Sequence, residues 1–219
     1  DGFDIAGASK PAAATGGDYF DYLTTSDSQL ALAIGDVSGH GIGPAMLMAE
    51  TRAYLRILTR NRNDLSLILT RANTMVGEDV GEERFVTMLL AKLDPEKRTL
   101  VYASAGHSPA FILGSDGAVK SELRRTGMPL GVMRDAEYTV SKPLRLAKGD
   151  VLVLLTDGLE ETANTEGELF GVDRILKAVH QNRQSKAAKI VESVFEILKD
   201  FSGNPEQVDD LTMIVAKAE

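Results

Sequence analysis

Two hydrophobic periods run along the chain, and the points where one gives way to the other mark its elements. Near the start, Phe3, Ile5 and Gly7 alternate with polar or small residues, which predicts an extended segment. Leu30-Ala31-Leu32-Ala33-Ile34 is a short apolar run closed by Gly35-Asp36 and reads as a buried strand. The period then changes. Gly43-Pro44 offers a cap-like glycine and a proline at a first helical position, and Leu47, Tyr54, Leu55 and Leu58 follow on one helical face. Arg52, Arg56 and Arg60 stand four apart on another face, expected to be wetted or else to meet an acidic partner. A second helix is predicted from Asp64, with Leu65, Ile68, Leu69, Ala72 and Val76 inward.

The middle of the chain returns to strands. Val86 to Leu93 and Leu100 to Ala105 flank the turn Asp94-Pro95-Glu96-Lys97. Phe111-Ile112-Leu113 leads into Gly114-Ser115-Asp116-Gly117, whose Asp-Gly pair signals a hairpin. Tyr138 to Val140 and Val151 to Leu155 are further predicted strands. Helices are expected from Val172 to about His180 and from about Lys186 to Phe201, the latter capped by Ser185, before a last strand from Leu211 to Ala216. Runs of strands separated by helix pairs predict an α+β fold with antiparallel sheets and helices outside, not a doubly wound parallel sheet.

Composition narrows the function classes. With 219 residues and 43% hydrophobic content, the chain is long enough for one ordinary globular domain over residues 1–219. Its net charge of −8 argues against a nucleic-acid binder, which needs a basic surface, and against a polybasic membrane anchor. The absence of cysteine excludes disulfides, zinc fingers, iron–sulfur sites and a thiol nucleophile. No apolar run approaches the roughly 20 residues of a spanning helix. No signal peptide opens the chain, so a cytoplasmic location is expected. The first residue is aspartate rather than methionine, and the chain is expected to be the C-terminal part of a longer regulatory protein.

Acidic residues recur where predicted strands end. Asp18 follows Gly16-Gly17, Asp36 closes one apolar run, Asp157 follows another and precedes Gly158, and Asp209-Asp210 open the last strand. Any one of these aspartates alone reads by default as a turn or cap residue. Together they form a pattern, because acids gathered at strand ends are partly desolvated and repel one another unless cations neutralise them. Hard oxygen ligands without sulfur select Mg²⁺ or Mn²⁺. Two such ions can activate water and clamp a phosphoryl oxygen, and phosphate hydrolysis then needs no side-chain nucleophile. The carbonyl of Val37 is a further candidate ligand.

Six segments occur in order: Gly16-Gly17-Asp18-Tyr19-Phe20-Asp21, Gly35-Asp36-Val37-Ser38-Gly39-His40-Gly41, Ala105-Gly106-His107-Ser108-Pro109, Gly127-Met128-Pro129-Leu130-Gly131, Leu155-Thr156-Asp157-Gly158-Leu159-Glu160-Glu161 and Asp209-Asp210-Leu211-Thr212. Over nearly the whole chain they resemble the SpoIIE/RsbU branch of the metal-dependent serine/threonine phosphatases, the PPM or protein phosphatase 2C-like family. The resemblance implies a four-layer αββα sandwich and a binuclear Mn²⁺ or Mg²⁺ centre at one end of it. By motif position it implies that Asp36 bridges both ions with the Val37 carbonyl contributing, that Asp157 and Asp209 hold one ion, and that Asp18 holds the other directly or through water. Asp209 is favoured over Asp210 on the family's pattern. The implied activity is hydrolysis of phosphoserine or phosphothreonine, with a STAS-domain anti-sigma-factor antagonist as substrate. An activating regulator and a homodimer are also in the family's range.

One departure concerns acid catalysis. Eukaryotic members carry a histidine two residues after the bridging aspartate, where this chain has Ser38, and the histidine here comes at His40. His40 is therefore a candidate general acid, set against loop packing or helix capping, with water at the metal centre as a further proton source. No match to the family's phosphate-clamping arginine stands out. His107 reads as a turn histidine bonded to backbone, and His180 as a surface residue. Met46, Met48, Met75 and Met88 read as core filler. Glu160 and Glu161 read as a helix start or turn rather than ligands. The apolar stretch Ala45 to Ala49 is expected to pack on a neighbouring helix. Two rivals stand beside the phosphatase: a catalytically weak pseudophosphatase or docking module in a partner-switching pathway, and a hydrolase of small phosphate esters.

Overall fold

The computed structural model describes residues 2–80, 84–203 and 207–219. In chain order its elements are β1 (Phe3–Lys10), β2 (Tyr19–Thr24), β3 (Leu30–Val37), α1 (Ile42–Asn61), α2 (Leu65–Asp79), β4 (Val86–Asp94), β5 (Thr99–Ala105), β6 (Ala110–Leu113), β7 (Val119–Leu123), β8 (Leu144–Arg145), β9 (Val151–Leu155), α3 (Asp157–Glu161), α4 (Gly171–Gln181), α5 (Ala187–Ser202) and β10 (Leu211–Ala218). The strands form two five-stranded sheets, β1-β10-β9-β6-β7 and β2-β3-β4-β5-β8, and every ladder between named strands is antiparallel.

The two sheets stack face to face. Leu32, Ile34, Leu89 and Leu93 from one sheet meet Ile112, Leu152, Leu154 and Ile214 from the other. Successive strand residues point to opposite faces, so the alternate positions look outward into helices. Ala31, Ala33 and Leu90 pack under α1 and α2 with Leu47, Leu55, Ile68 and Val76. Val151, Val153, Met213 and Val215 pack under α4 and α5 with Ile175, Val179, Ile190 and Val194. This gives the four layers, helix, sheet, sheet, helix. It also explains why β9 reads as an unbroken apolar run, since all five of its residues are buried, on one face or the other. Among the described residues no helix is long and apolar enough to cross a membrane.

Several local expectations are corrected. α1 starts at Ile42, preceded by Gly41 at φ 92°, with Pro44 inside the first turn, where a missing N–H costs no intrahelical bond. Ser185 does not cap α5; the carboxylate of Asp4 on β1 accepts from Ala187 N at 2.7 Å instead. The prediction for α2 holds, because Asp64 accepts from Ser66 N at 2.8 Å. Tyr138 to Val140 is not a strand. Its period-two pattern arises because Tyr138 and Val140 both dock on the α1–α2 core, while the Tyr138 carbonyl accepts from Ser66 Oγ. Met88 is buried, Met48 and Met75 are half-buried, and Met46 is 61% exposed rather than core.

β2 escapes sequence reading because Asp21 occupies an inward position. Its carboxylate accepts from Tyr19 Oη at 2.9 Å, and from Arg56 Nε at 2.6 Å and Nη2 at 2.8 Å. The arginine face of α1 thus meets an acid of its own chain. Register then gathers the site: Tyr19 at the start of β2 opposes Gly35 near the end of β3, and Leu155 at the end of β9 opposes Met213 near the start of β10.

Replacing the fully buried Ile34 by alanine is expected to cost about 2–5 kcal/mol, while Ile42→Ser on the exposed start of α1 stays within about 0.5 kcal/mol. Urea unfolding of both variants against wild type measures the contrast.

Candidate metal centre

Asp36 lies one residue before the end of β3, Asp157 opens α3 after β9, and Asp209 stands two residues before β10. Asp18 precedes β2. The structure brings these four to one end of the sandwich, where each of the others acts electrostatically on Asp36. Burial, with the charges of Asp18, Asp157, Asp209 and Asp210 adding to it, pushes the Asp36 carboxyl up to about 8. Burial also raises Asp18 to about 7, against hydrogen bonds from Thr212 and Thr156 that favour its ionised form. The Thr156 hydroxyl donates to Asp18 Oδ2 at 2.8 Å. Burial and the charges of Asp157 and Asp210 raise Asp209 as well.

Asp209 and Asp210 separate clearly. Asp210 is buried, and its carboxylate accepts from Ala12 N at 2.8 Å and from Asp18 N at 3.2 Å, tying the loop before β2 to the start of β10. Asp209 is exposed, and one of its oxygens accepts from Asp210 N at 2.8 Å. His40 is exposed and close enough to Asp209 for its charge to pull that carboxyl down, so the Gly39–Gly41 loop borders the acidic cluster.

Two glycines make the approach possible. A Cβ on Gly17 would stand 2.9 Å from the Val37 carbonyl oxygen and 3.2 Å from Asp36 Oδ1. A Cβ on Gly158 would collide with the Asp210 carbonyl, so only glycine lets the first turn of α3 settle against the start of β10. Among the described residues no three acidic or histidine side chains close on one point unaided. Hard cations complete their shells with water and need only one or two carboxylates each. The donor set is all oxygen and the like charges are crowded, with Gly17 packed against the Val37 carbonyl. Residues of this chemistry fit hard divalent cations.

Other expectations resolve as follows. Glu160 lies in α3 and its carboxyl is raised by burial and by Asp157. His107 does bond to backbone, at Leu155 O, and it is buried. His180 is half-buried, with its ring against Gly117, not free on the surface. Thr156, Thr87 and the anchoring part of Asp210 were not legible, because their partners are distant in sequence.

The comparisons with known proteins bear on the family and the fold. The model of the family described as Stage II sporulation protein E (SpoIIE) matches residues 26–219. The chain belongs to the SpoIIE family. Among relatives, it is 31% identical over 217 residues to phosphoserine phosphatase RsbU of Bacillus subtilis, covering 98% of this chain and 63% of that protein. It superimposes on the crystal structure of the RsbU and RsbW domains of Rv1364c from Mycobacterium tuberculosis with a TM-score of 0.81 and 26% identity, covering 100% of this chain and 60% of that one. The SiaA PP2C domain of Pseudomonas aeruginosa gives a TM-score of 0.84 at 22% identity, covering 99% of this chain and 85% of that one. The chain thus spans about three-fifths of RsbU and of the Rv1364c chain, and its fold is that of PP2C phosphatases.

The crowding has a measurable cost. In protein stripped of divalent ions by chelation, Asp36→Asn is expected to be more stable than wild type near about pH 8, by on the order of 1–3 kcal/mol. The raised carboxyl contributes its full stability below its unfolded value of 3.8 and loses it as pH rises through about 8, so the difference closes on acidification. Urea unfolding across that range measures it, and a variant no more stable at the alkaline end contradicts the repulsion.

Proposed function

We propose that this domain is a protein serine/threonine phosphatase that holds two Mn²⁺ or Mg²⁺ ions with Asp18, Asp36, the Val37 carbonyl, Asp157 and Asp209. The observation that carries the reading is the coupling of Asp36 to Asp18, Asp157 and Asp209 at one end of a SpoIIE-family fold. When bound, the ions supply the positive charge that makes water nucleophilic near neutral pH and offsets charge on the phosphoryl oxygens.

The chain's own residues build the frame. Asp36 feels the charges of Asp18, Asp157, Asp209 and Asp210 alike, which supports assigning it to both ions. Asp157 and Asp209 serve one, and Asp18 serves the other directly or through water. Thr156 donates to Oδ2 of Asp18 and holds that carboxylate in place. Asp210 holds the backbone of Ala12 and Asp18 in place. His40, beside Asp209, is the candidate side chain for protonating the departing oxygen, with water at the metal centre as the alternative proton source. In the reaction the bond from phosphorus to the serine oxygen breaks, a bond from phosphorus to a water oxygen forms, and the serine oxygen takes up a proton. Phosphate and a free hydroxyl side chain are released.

The substrate class is a regulatory phosphoprotein, of the STAS-domain anti-sigma-factor antagonist type. The likeness to RsbU, a phosphoserine phosphatase, and to Rv1364c, where RsbU and RsbW domains share a chain, supports a place in a partner-switching pathway.

Dephosphorylation of a phosphorylated STAS protein in Mn²⁺ tests the proposal. EDTA is expected to abolish turnover and Mn²⁺ to restore it. Asp36→Asn is expected to lower the rate on the order of 10³-fold, and Asp18→Asn by less, roughly 10- to 100-fold. Turnover that survives EDTA, or equal mild losses, overturns the mechanism. Preference for a sugar phosphate over the phosphoprotein favours the ester hydrolase, and no turnover of either favours the docking module.

A further inference from the structure

Residues 106–109 carry the chain from the second sheet to the first, between β5 and β6. His107 lies in this crossing and is only 2% exposed. Its Nδ1 stands 2.9 Å from Thr87 Oγ1 on β4, and its Nε2 stands 3.2 Å from the Leu155 carbonyl oxygen at the end of β9. A carbonyl only accepts, so Nε2 carries the proton and donates it there, and Nδ1 accepts from the Thr87 hydroxyl. Burial pushes the imidazole down to about 4, which keeps the ring neutral at ordinary pH and consistent with that tautomer.

Both partners sit beside the acids. Thr87 lies directly opposite Asp36 in the β3–β4 ladder, and its hydroxyl is 3.4 Å from the Asp36 carbonyl. Leu155 is followed by Thr156, which holds Asp18, and then by Asp157. One imidazole therefore spans from Thr87 on β4, the ladder partner of Asp36 in one sheet, to the end of β9, two residues before Asp157, in the other. The intersheet core residues described above are apolar, and apolar contact is non-directional, so that core resists a shift between the sheets through side-chain packing alone. A rigid ring bonded on both edges adds a directional tie.

We propose that His107 is a positioning residue of the metal centre, a strut between Thr87 and Leu155 that fixes the separation of the Asp36 and Asp157 strand ends. The inference rests on the metal-centre reading above. A histidine that only satisfied buried polar groups would affect folding stability and leave cation binding by the folded protein unchanged. Partners that orient metal ligands from behind change metal affinity roughly 10- to 100-fold when removed.

The test uses the whole chain with Mn²⁺ alone as probe. Wild type, His107→Leu, His107→Gln and Thr87→Val are titrated by calorimetry well below each melting temperature, and electron paramagnetic resonance reads whether bound Mn²⁺ ions are spin-coupled. Wild type is expected to bind two coupled ions. His107→Leu is expected to weaken Mn²⁺ binding roughly 10- to 100-fold and lose the coupling, with His107→Gln recovering part through its donor to Leu155. Thr87→Val, which removes one hydroxyl from an otherwise similar shape, is expected to weaken binding by a smaller factor and decides the matter if His107→Leu does not fold. Wild type that binds no Mn²⁺ overturns the metal-centre reading and this inference together. Wild type that binds normally, beside variants with lower melting temperature but unaltered affinity and spectrum, overturns the strut alone.

Discussion

Mutual repulsion among the carboxylates at one end of the sandwich is the constraint on which the rest of the structure turns. Asp36 is raised to about 8 and Asp18 to about 7, so the protein works against solvation and like charge to keep these acids together. Acids carried on free loops would splay apart. Here they sit at or within two residues of strand ends whose positions are set by ladder bonds and by a packed core between the sheets. The apolar interior thus supplies the free energy that the polar end consumes, which is the usual relation between a fold and its functional site.

What the sequence shows and hides follows from the range of each interaction. β3, β9 and β10 are legible because both faces of their sheets are covered, which leaves continuous apolar runs with the acids immediately beside them. β2 is hidden because Asp21, turned inward, is compensated by Arg56, 35 residues away. The false strand at Tyr138 to Val140 has the opposite origin: two side chains reach the same core from a backbone that joins no ladder. Pattern reports where side chains are buried, and only pairing makes a strand.

The site divides in the same way. Asp18, Asp36, Asp157 and Asp209 could be picked out because each adjoins a glycine or a strand end in the sequence itself. The choice between Asp209 and Asp210 could not be made from spacing. What separates the two in the fold is reach: the carboxylate of Asp210 is buried and accepts from Ala12 N and Asp18 N, 198 and 192 residues away, while that of Asp209 is exposed and accepts only from its neighbour Asp210 N among the bonds described. Ser185 and Asp4 repeat the lesson at a helix end, where the cap came from another sheet strand instead of the preceding residue.

The acids come from both sheets, and this shapes what holds them. Asp36 ends a strand of one sheet, while Asp157 and Asp209 flank strands of the other, and Asp18 lies on the connection between β1 and β2 that joins the two. Any relative slide of the sheets changes the donor set without breaking a ladder in either. Apolar packing opposes separation more than it opposes sliding, so directional bonds across the gap carry that task. Among the described residues, four such bonds near the acids stand out: Thr156 to Asp18, Asp18 N to Asp210, Val37 N to Gly17 O at 3.3 Å, and the imidazole of His107 between Thr87 and Leu155. The first three fasten the glycine-rich loop before β2 to one sheet or the other. Only the histidine, among these four, reaches from the interior of one sheet to the strand end of the other, which is why its removal bears on the spacing of the acids themselves.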